Sequence, residues 1–281
     1  MKKRKISPWG TVYIALMLLM IYAPILFVII FSFNEGNSMA RWAGFSLKWY
    51  TELFQDTRIH KALFVSLSVA VLSSLFSTIL GTLAAIGLNS MSKKKRSVIM
   101  GVSQLPVFNP DLVTGISLML VFVFIKNMLQ KLGINFQLGY GTMLVAHTTF
   151  NLPYVLLSVM PRLRQSSNML YEAALDLGAS PSYALWRVTI PDIFPGILTG
   201  AILAFTMSLD DFVVTFFTRQ GIQNLSTEIY SMVRRGISPE INALSALMFT
   251  AVLTLLMVVN FMDRKSARKL RKQRNKVKKT A

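Results

Sequence analysis

Runs of apolar residues long enough to cross a bilayer dominate this chain. Six blocks, Trp9–Phe33, Ala62–Met91, Ser97–Ile125, Gly139–Pro161, Ile193–Thr218 and Ile241–Met262, are continuous and not alternating. A hydrocarbon core about 30 Å thick needs roughly 20 helical residues. Each block meets that length, and continuity argues against a β-barrel. The blocks hold three charged residues, all aspartates: Asp111, Asp210 and Asp211. No Lys or Arg falls inside them. Soluble core helices rarely exceed about 20 residues without charge, so the pattern predicts an all-α integral membrane protein with six transmembrane helices.

Finer patterning shows how the helices meet. The second block carries a small-residue stripe at three- and four-residue spacing: Ser66, Ala70, Ser73, Ser77, Gly81 and Ala84. Stripes of this kind allow close helix packing. The fifth carries another, Gly196, Gly200, Ala204, Ser208, Asp211 and Thr215, which predicts a face turned to a partner helix or a pore and not to lipid. The third block is interrupted by Pro106 and Pro110, and Asn109-Pro110-Asp111 predicts a helix start with Asn109 as cap. Between the fourth and fifth blocks, Arg162–Asp192 predicts two short amphipathic helices. Gly178 ends the first, and Ser180 caps the second with Pro181 at its first position. The segment from Glu35 to His60 holds Trp42, Trp49, Tyr50 and Phe54 among polar residues, a composition suited to the membrane–water interface.

Charge fixes the expected orientation. Of the 30 Lys and Arg in this 281-residue chain, those at the N-terminus, in the second and fourth connections and at the C-terminus number 21, against 9 in the alternate set. The positive-inside rule then puts both termini in the cytoplasm. The organisation is a basic tail over 1–8, a membrane domain over 9–263 and a second basic tail over 264–281. The net charge of +18 is concentrated at these membrane-surface positions, so it predicts a lipid bilayer partner and no nucleic acid. The first apolar block outruns a signal-peptide core of about 7–15 residues and reads as an uncleaved helix. Without cysteine, disulfide, thiolate-metal and redox chemistry are excluded. No G-x-x-x-x-G-K-[ST], H-E-x-x-H or G-x-S-x-G occurs, so no catalytic residue, cofactor site or metal site is predicted in this chain. His147 reads as a hydrogen-bonded helix residue and not a metal ligand.

The three aspartates are the candidate chemistry. A charge inside the bilayer costs several kcal/mol on most scales and marks function. The chain offers these carboxylates no intramembrane Lys or Arg; a partner would come from another subunit, water or the substrate. Asp111 lies near the middle of the third block and Asp210 a few residues past the middle of the fifth, so the acids share a level. A pathway lined there by Asp111, Asp210 and Asp211, with Ser208 on the same stripe, attracts a polycation and repels anions. Asp111 also suits a plain helix N-terminus. Trp49 and Tyr50 offer cation–π faces at an outer mouth, or interfacial anchoring.

Glu172-Ala173-Ala174, three residues, Gly178, nine residues and Val188-Thr189-Ile190-Pro191 resembles the EAA motif of ABC-importer permease subunits. Val188 and Ile190 stand where that pattern has Ile and Leu. The resemblance implies a type I importer fold with a core over about 62–262 and a coupling segment over 168–191. It also implies a second homologous permease subunit, a cytoplasmic ABC ATPase dimer that carries the ATP and Mg, an extracytoplasmic substrate-binding protein, and a bacterial inner-membrane location. A finer resemblance rests on Ser208-Leu209-Asp210-Asp211-Phe212, Ile229–Gly236 and Pro239–Ala243. It is to the spermidine/putrescine permeases, their C-type subunit in particular, and implies a polyamine cargo. Importer permeases for an iron complex, thiamine or an opine stay open, as does a stand-alone cation channel or secondary transporter.

Overall fold

A computed structural model describes residues 8–37, 41–109, 111–235, 239–254 and 257. Among them no strand forms; a single antiparallel bridge joins Asn34 and Phe45. The helices in chain order are α1 (Pro8–Phe31), α2 (Lys48–Gln55), α3 (Thr57–Asn89), α4 (Lys93–Phe108), α5 (Asp111–Lys131) and α6 (Tyr140–Arg162). They continue as α7 (Asn168–Asp176), α8 (Pro181–Tyr183), α9 (Ile190–Asp210), α10 (Val213–Thr218) and α11 (Leu225–Arg235). A shorter apolar helix, α12 (Glu240–Thr254), follows. The chain is all-α and multi-pass: among the described residues, 5 helices are long and apolar enough to cross a membrane. The sixth block is represented by α12, and most of its remainder lies outside the described residues, as do the tails 1–7 and 264–281.

Two predicted blocks are corrected. The third does not span from Ser97 to Ile125. Asn109 is extended (φ −75°, ψ 141°) and closes α4 after 16 residues. A residue before proline is driven out of the α region by the proline ring, which accounts for the stop. The spanning helix is α5, which runs past Ile125 to Lys131. The fifth block is not continuous either: Asp211 is extended (ψ 125°) and separates α9 from α10.

The chain divides into two compact units, one of residues 1–57 with 231–281 and one of residues 58–230. In the first, Asn34 is buried and organises the turn that follows α1. Its Oδ1 accepts from the Ala43 amide at 2.8 Å, its Nδ2 donates to the Arg41 carbonyl at 2.8 Å, and its carbonyl accepts from Trp49 Nε1 at 2.7 Å. Phe33 stacks on Phe45 and leans on Tyr50, whose hydroxyl meets Ser32 Oγ at 2.7 Å. The aromatic residues of this segment thus form a small folded cap.

In the second unit, small residues let backbones approach. A Cβ at Gly81 on α3 would lie 2.7 Å from Val155 Cγ1, and one at Gly200 on α9 would lie 3.1 Å from Val155 Cα. Helices α3, α6 and α9 therefore close around a core of Ala85, Leu88, Val155, Val159, Ile193 and Ala204. Both predicted small-residue stripes face this packing, with Ser66, Ala70, Ser73, Ser77 and Gly81 buried on α3 and Gly196, Gly200, Ala204 and Ser208 buried on α9.

Candidate functional site

The break between α9 and α10 is held by the aspartate that interrupts the helix. Asp211 Oδ1 accepts from the Val214 amide at 3.2 Å, and Oδ2 accepts from the Thr215 amide at 2.8 Å. These are the orphan donors of the first turn of α10, and a carboxylate is well suited to satisfy them. The sequence placed Asp211 inside a continuous fifth block; in the structure the helix breaks there and the Asp211 carboxylate caps α10.

A buried polar network surrounds the break. His147 on α6 is 1% exposed. Its Nδ1 meets Ser208 Oγ at 2.6 Å and its Nε2 meets Thr215 Oγ1 at 2.9 Å, with Asp211 Oδ2 at 3.4 Å. Ser73 Oγ on α3 donates to Ser208 Oγ at 3.0 Å. Thr215 gives its one hydroxyl proton to Asp211, so His147 Nε2 carries a hydrogen towards Thr215. Thr215 Oγ1 accepts from that N–H and from Asn224 Nδ2 at 3.1 Å, and donates to Asp211 Oδ2 at 3.0 Å. Asn224 Nδ2 also reaches the Asp211 carbonyl at 2.9 Å. Every group in the chain from Ser73 to Asp211 is satisfied. Four helices (α3, α6, α9 and α10) and the loop at Asn224 are tied together at one level.

His147 was expected to be a hydrogen-bonded helix residue, and it is. Its role as Asp211's partner was missed, because 64 residues separate the two in sequence. Ser208 also belongs to this network and is buried.

Asp210 differs from its neighbour. It ends α9 and is exposed. Among the described residues its carboxylate has no hydrogen bond or ion pair; Ser226 Oγ donates only to its backbone carbonyl, at 3.3 Å. Two residues later in the chain, Phe212 belongs to a group of aromatic rings that the sequence did not single out. Phe212 lies 4.9 Å from Tyr230 and 5.6 Å from Phe216, centroid to centroid. Asp111 is exposed at the first position of α5. One turn later, a Cβ at Gly115 would lie 3.3 Å from the Val213 carbonyl. The start of α5 thus meets the start of α10, which keeps Asp111 within about a helical turn, roughly 6 Å, of the level of the break. Trp49 belongs to the other unit; its indole is buried, donates to Asn34, and carries the Lys48 ammonium 4.8 Å from a ring centroid.

In the segment between α6 and α9 the Gly178 turn and the Ser180 cap fall where the spacing predicted, but the second short helix does not stand apart: its turns run from Pro181 straight into α9. Helix α7 ends at Asp176, and Gly178 turns the chain at φ 84°, a conformation glycine adopts without strain. Ser180 Oγ accepts from the Tyr183 amide at 3.3 Å, with Pro181 at the first turn. Wider π-helical turns at Leu163–Ser167 and Ala184–Thr189 join these short helices to α6 and α9. Glu172, Ala173, Gly178 and Pro191 are exposed and Ala174 half-buried. Met169, Leu177 and Trp186 are also exposed, at 81%, 89% and 66%. A cavity of 490 Å³ opens beside Glu172 and Tyr171 and is floored by Ile86, Leu163 and Leu185.

Comparison with known proteins adds a common theme. Residues 77–272 match the family described as binding-protein-dependent transport system inner membrane component. The putrescine transport system permease protein PotI of Escherichia coli K12 is 38% identical over 88% of this chain and 87% of its own length. The spermidine/putrescine transport system permease protein PotC of the same strain is 38% identical over 85% of this chain and 87% of its own. Among solved structures, a bacterial ABC transporter involved in the import of the acidic polysaccharide alginate superposes with a TM-score of 0.71. It covers 92% of this chain and 94% of its own at 21% identity, a likeness of fold.

Proposed function

This chain belongs to the binding-protein-dependent transport system inner membrane components, as an ABC-importer permease subunit and not an enzyme, and on that premise we propose that it forms half of an alternating-access pathway for polyamines. Its identity of 38% to permeases named for putrescine and spermidine/putrescine carries the cargo assignment. The geometry supports it from the residues upward. Asp210 presents an exposed carboxylate two residues before Phe212, which pairs with Tyr230, and Asp111 stands near the same level. Carboxylates and aromatic faces together suit a flexible chain of ammonium groups. Fold alone does not choose the cargo, since the alginate importer shares the architecture and imports an acidic polysaccharide.

The remaining parts of the reading follow. Six helices, with both termini in the cytoplasm of a bacterial inner membrane, place the Glu172–Pro191 knob beneath the bundle. There it docks one subunit of an ABC ATPase dimer, where ATP and Mg are bound. A second homologous permease subunit completes the pathway, and an extracytoplasmic binding protein delivers the polyamine. ATP-driven closure of the ATPase dimer moves the two knobs together and turns the pathway outward.

Uptake of labelled spermidine and putrescine by the reconstituted complex tests this. Asp210→Asn is expected to lower uptake about tenfold or more while leaving the thermal midpoint of the complex unchanged. Undiminished uptake in Asp210→Asn, or no polyamine uptake by the wild type with its binding protein, overturns the assignment.

A further inference from the structure

An open apolar groove runs between α3, α4 and α6, with a volume of 460 Å³. Its walls include Gly87 on α3, Met91 in the turn after it, Ile99 and Pro106 on α4, and Leu152 and Leu156 on α6. Two hydroxyls also line it, but both are engaged by their own helices. Ser103 Oγ donates to the Ile99 carbonyl at 2.7 Å, and Thr149 Oγ1 donates to the Val145 carbonyl at 2.8 Å. The groove therefore offers hydrocarbon and no free side-chain donor. From Ile99 to Pro106 it follows α4 for about 10 Å at helical rise, a length suited to part of an acyl chain.

The end of this groove near Met91 and Ile99 is strongly cationic. Lys93, Lys94, Lys95 and Arg96 fill the first turn of α4, directly between those two lining residues. The three lysines are exposed, and Arg96 leans back onto the Asn89 carbonyl at 3.4 Å. No acidic residue lies in that turn, and the cap residue Ser92 makes no side-chain capping bond. Four positive charges at the positive end of a helix repel both one another and the helix dipole. An anion at the groove mouth relieves that repulsion. Each Lys or Arg near the surface attracts anionic lipid by about 1 kcal/mol.

We propose that the α3–α4–α6 groove is a binding site for an anionic phospholipid of the cytoplasmic leaflet, with the headgroup on Lys93–Arg96 and an acyl chain along Gly87, Ile99 and Pro106. The inference needs the Lys93–Arg96 end to face the cytoplasm, and it is independent of the cargo. Gly87 supplies a clean probe of the acyl part, since a Cβ there meets nothing within 4 Å.

The test uses the full transporter complex, purified in mild detergent from membranes containing phosphatidylethanolamine, phosphatidylglycerol and cardiolipin. Retained lipids are quantified by mass spectrometry. The wild type is expected to retain phosphatidylglycerol or cardiolipin in excess over its membrane share. Lys93→Gln/Lys94→Gln/Lys95→Gln is expected to reduce that excess about tenfold or more. Gly87→Leu, which keeps every charge, is expected to reduce it as well. No anionic enrichment in the wild type, or enrichment unchanged in both variants, overturns the proposal. So does efficient crosslinking from Ile99→Cys, unique in a chain without cysteine, to the second permease subunit, because protein would then cover the groove.

Discussion

Adjacent aspartates with the same intrinsic chemistry carry different tasks at the end of α9. Asp211 turns inward, caps α10 and completes the network through Thr215 and His147. Asp210, one residue earlier, turns to the exposed side. Their separation gives a test at this scale. Asp211→Ala removes a cap and leaves amides of Val214 and Thr215 without their acceptor. It is expected to destabilise the complex by about 1–2 kcal/mol, read as a lowered thermal midpoint. Asp211→Asn, which still caps, is expected to cost clearly less. Equal midpoints for wild type and Asp211→Ala would remove the capping role. Thr215 gives a second test, because its hydroxyl accepts from two donors and serves Asp211. Thr215→Val is expected to destabilise by about 1–3 kcal/mol by orphaning buried polar groups, again measured by thermal unfolding.

Among the elements, the decisive contact is α9 against α6. Gly200 stands where a Cβ would press on the Val155 backbone at 3.1 Å, with Ser158 Cβ at 3.4 Å. A backbone cannot yield as a flexible side chain does. Gly200→Leu is therefore expected to cost about 1–3 kcal/mol through overpacking and to weaken transport by displacing Ser208 from His147. Gly141, open to space on the same α6, is the control: Gly141→Ala is expected to leave the thermal midpoint unchanged. The small-residue stripes were legible in the sequence because helical spacing alone gathers them on one face. The break after Asp210 was not legible, because nothing local forbids Asp211 from continuing a helix. The stop at Asn109 could be read from Pro110, and the structure shows that it ends a separate helix instead of interrupting one span.

For the whole molecule, the proposed function requires a surface that docks a partner. Met169, Leu177 and Trp186 are exposed on the same segment as Glu172, between α6 and α9. Glu172→Lys is expected to leave the bundle folded while separating ATP hydrolysis from uptake. ATPase activity of the assembled complex should lose its stimulation by polyamine-loaded binding protein, and uptake should fall by about tenfold or more. Normal, stimulated turnover in Glu172→Lys would remove the docking role.

Sequence alone determined the all-α membrane class and the turn chemistry of the knob. These rest on local physics: run length against bilayer thickness, Gly178 at positive φ and Ser180 as a cap. It also isolated the acids and, through the Glu172–Pro191 spacing, resembled the family to which the chain belongs. Only the tertiary structure decided which acid is engaged by its own fold. Asp211 meets His147, Thr215 and the carbonyl-bound Asn224 because α6, α10 and the following loop converge, and no sequence period encodes a meeting of residues so far apart. That convergence turns the Asp211 carboxylate inward while Asp210 stays exposed, and it brings the rings of Phe212 and Tyr230 together.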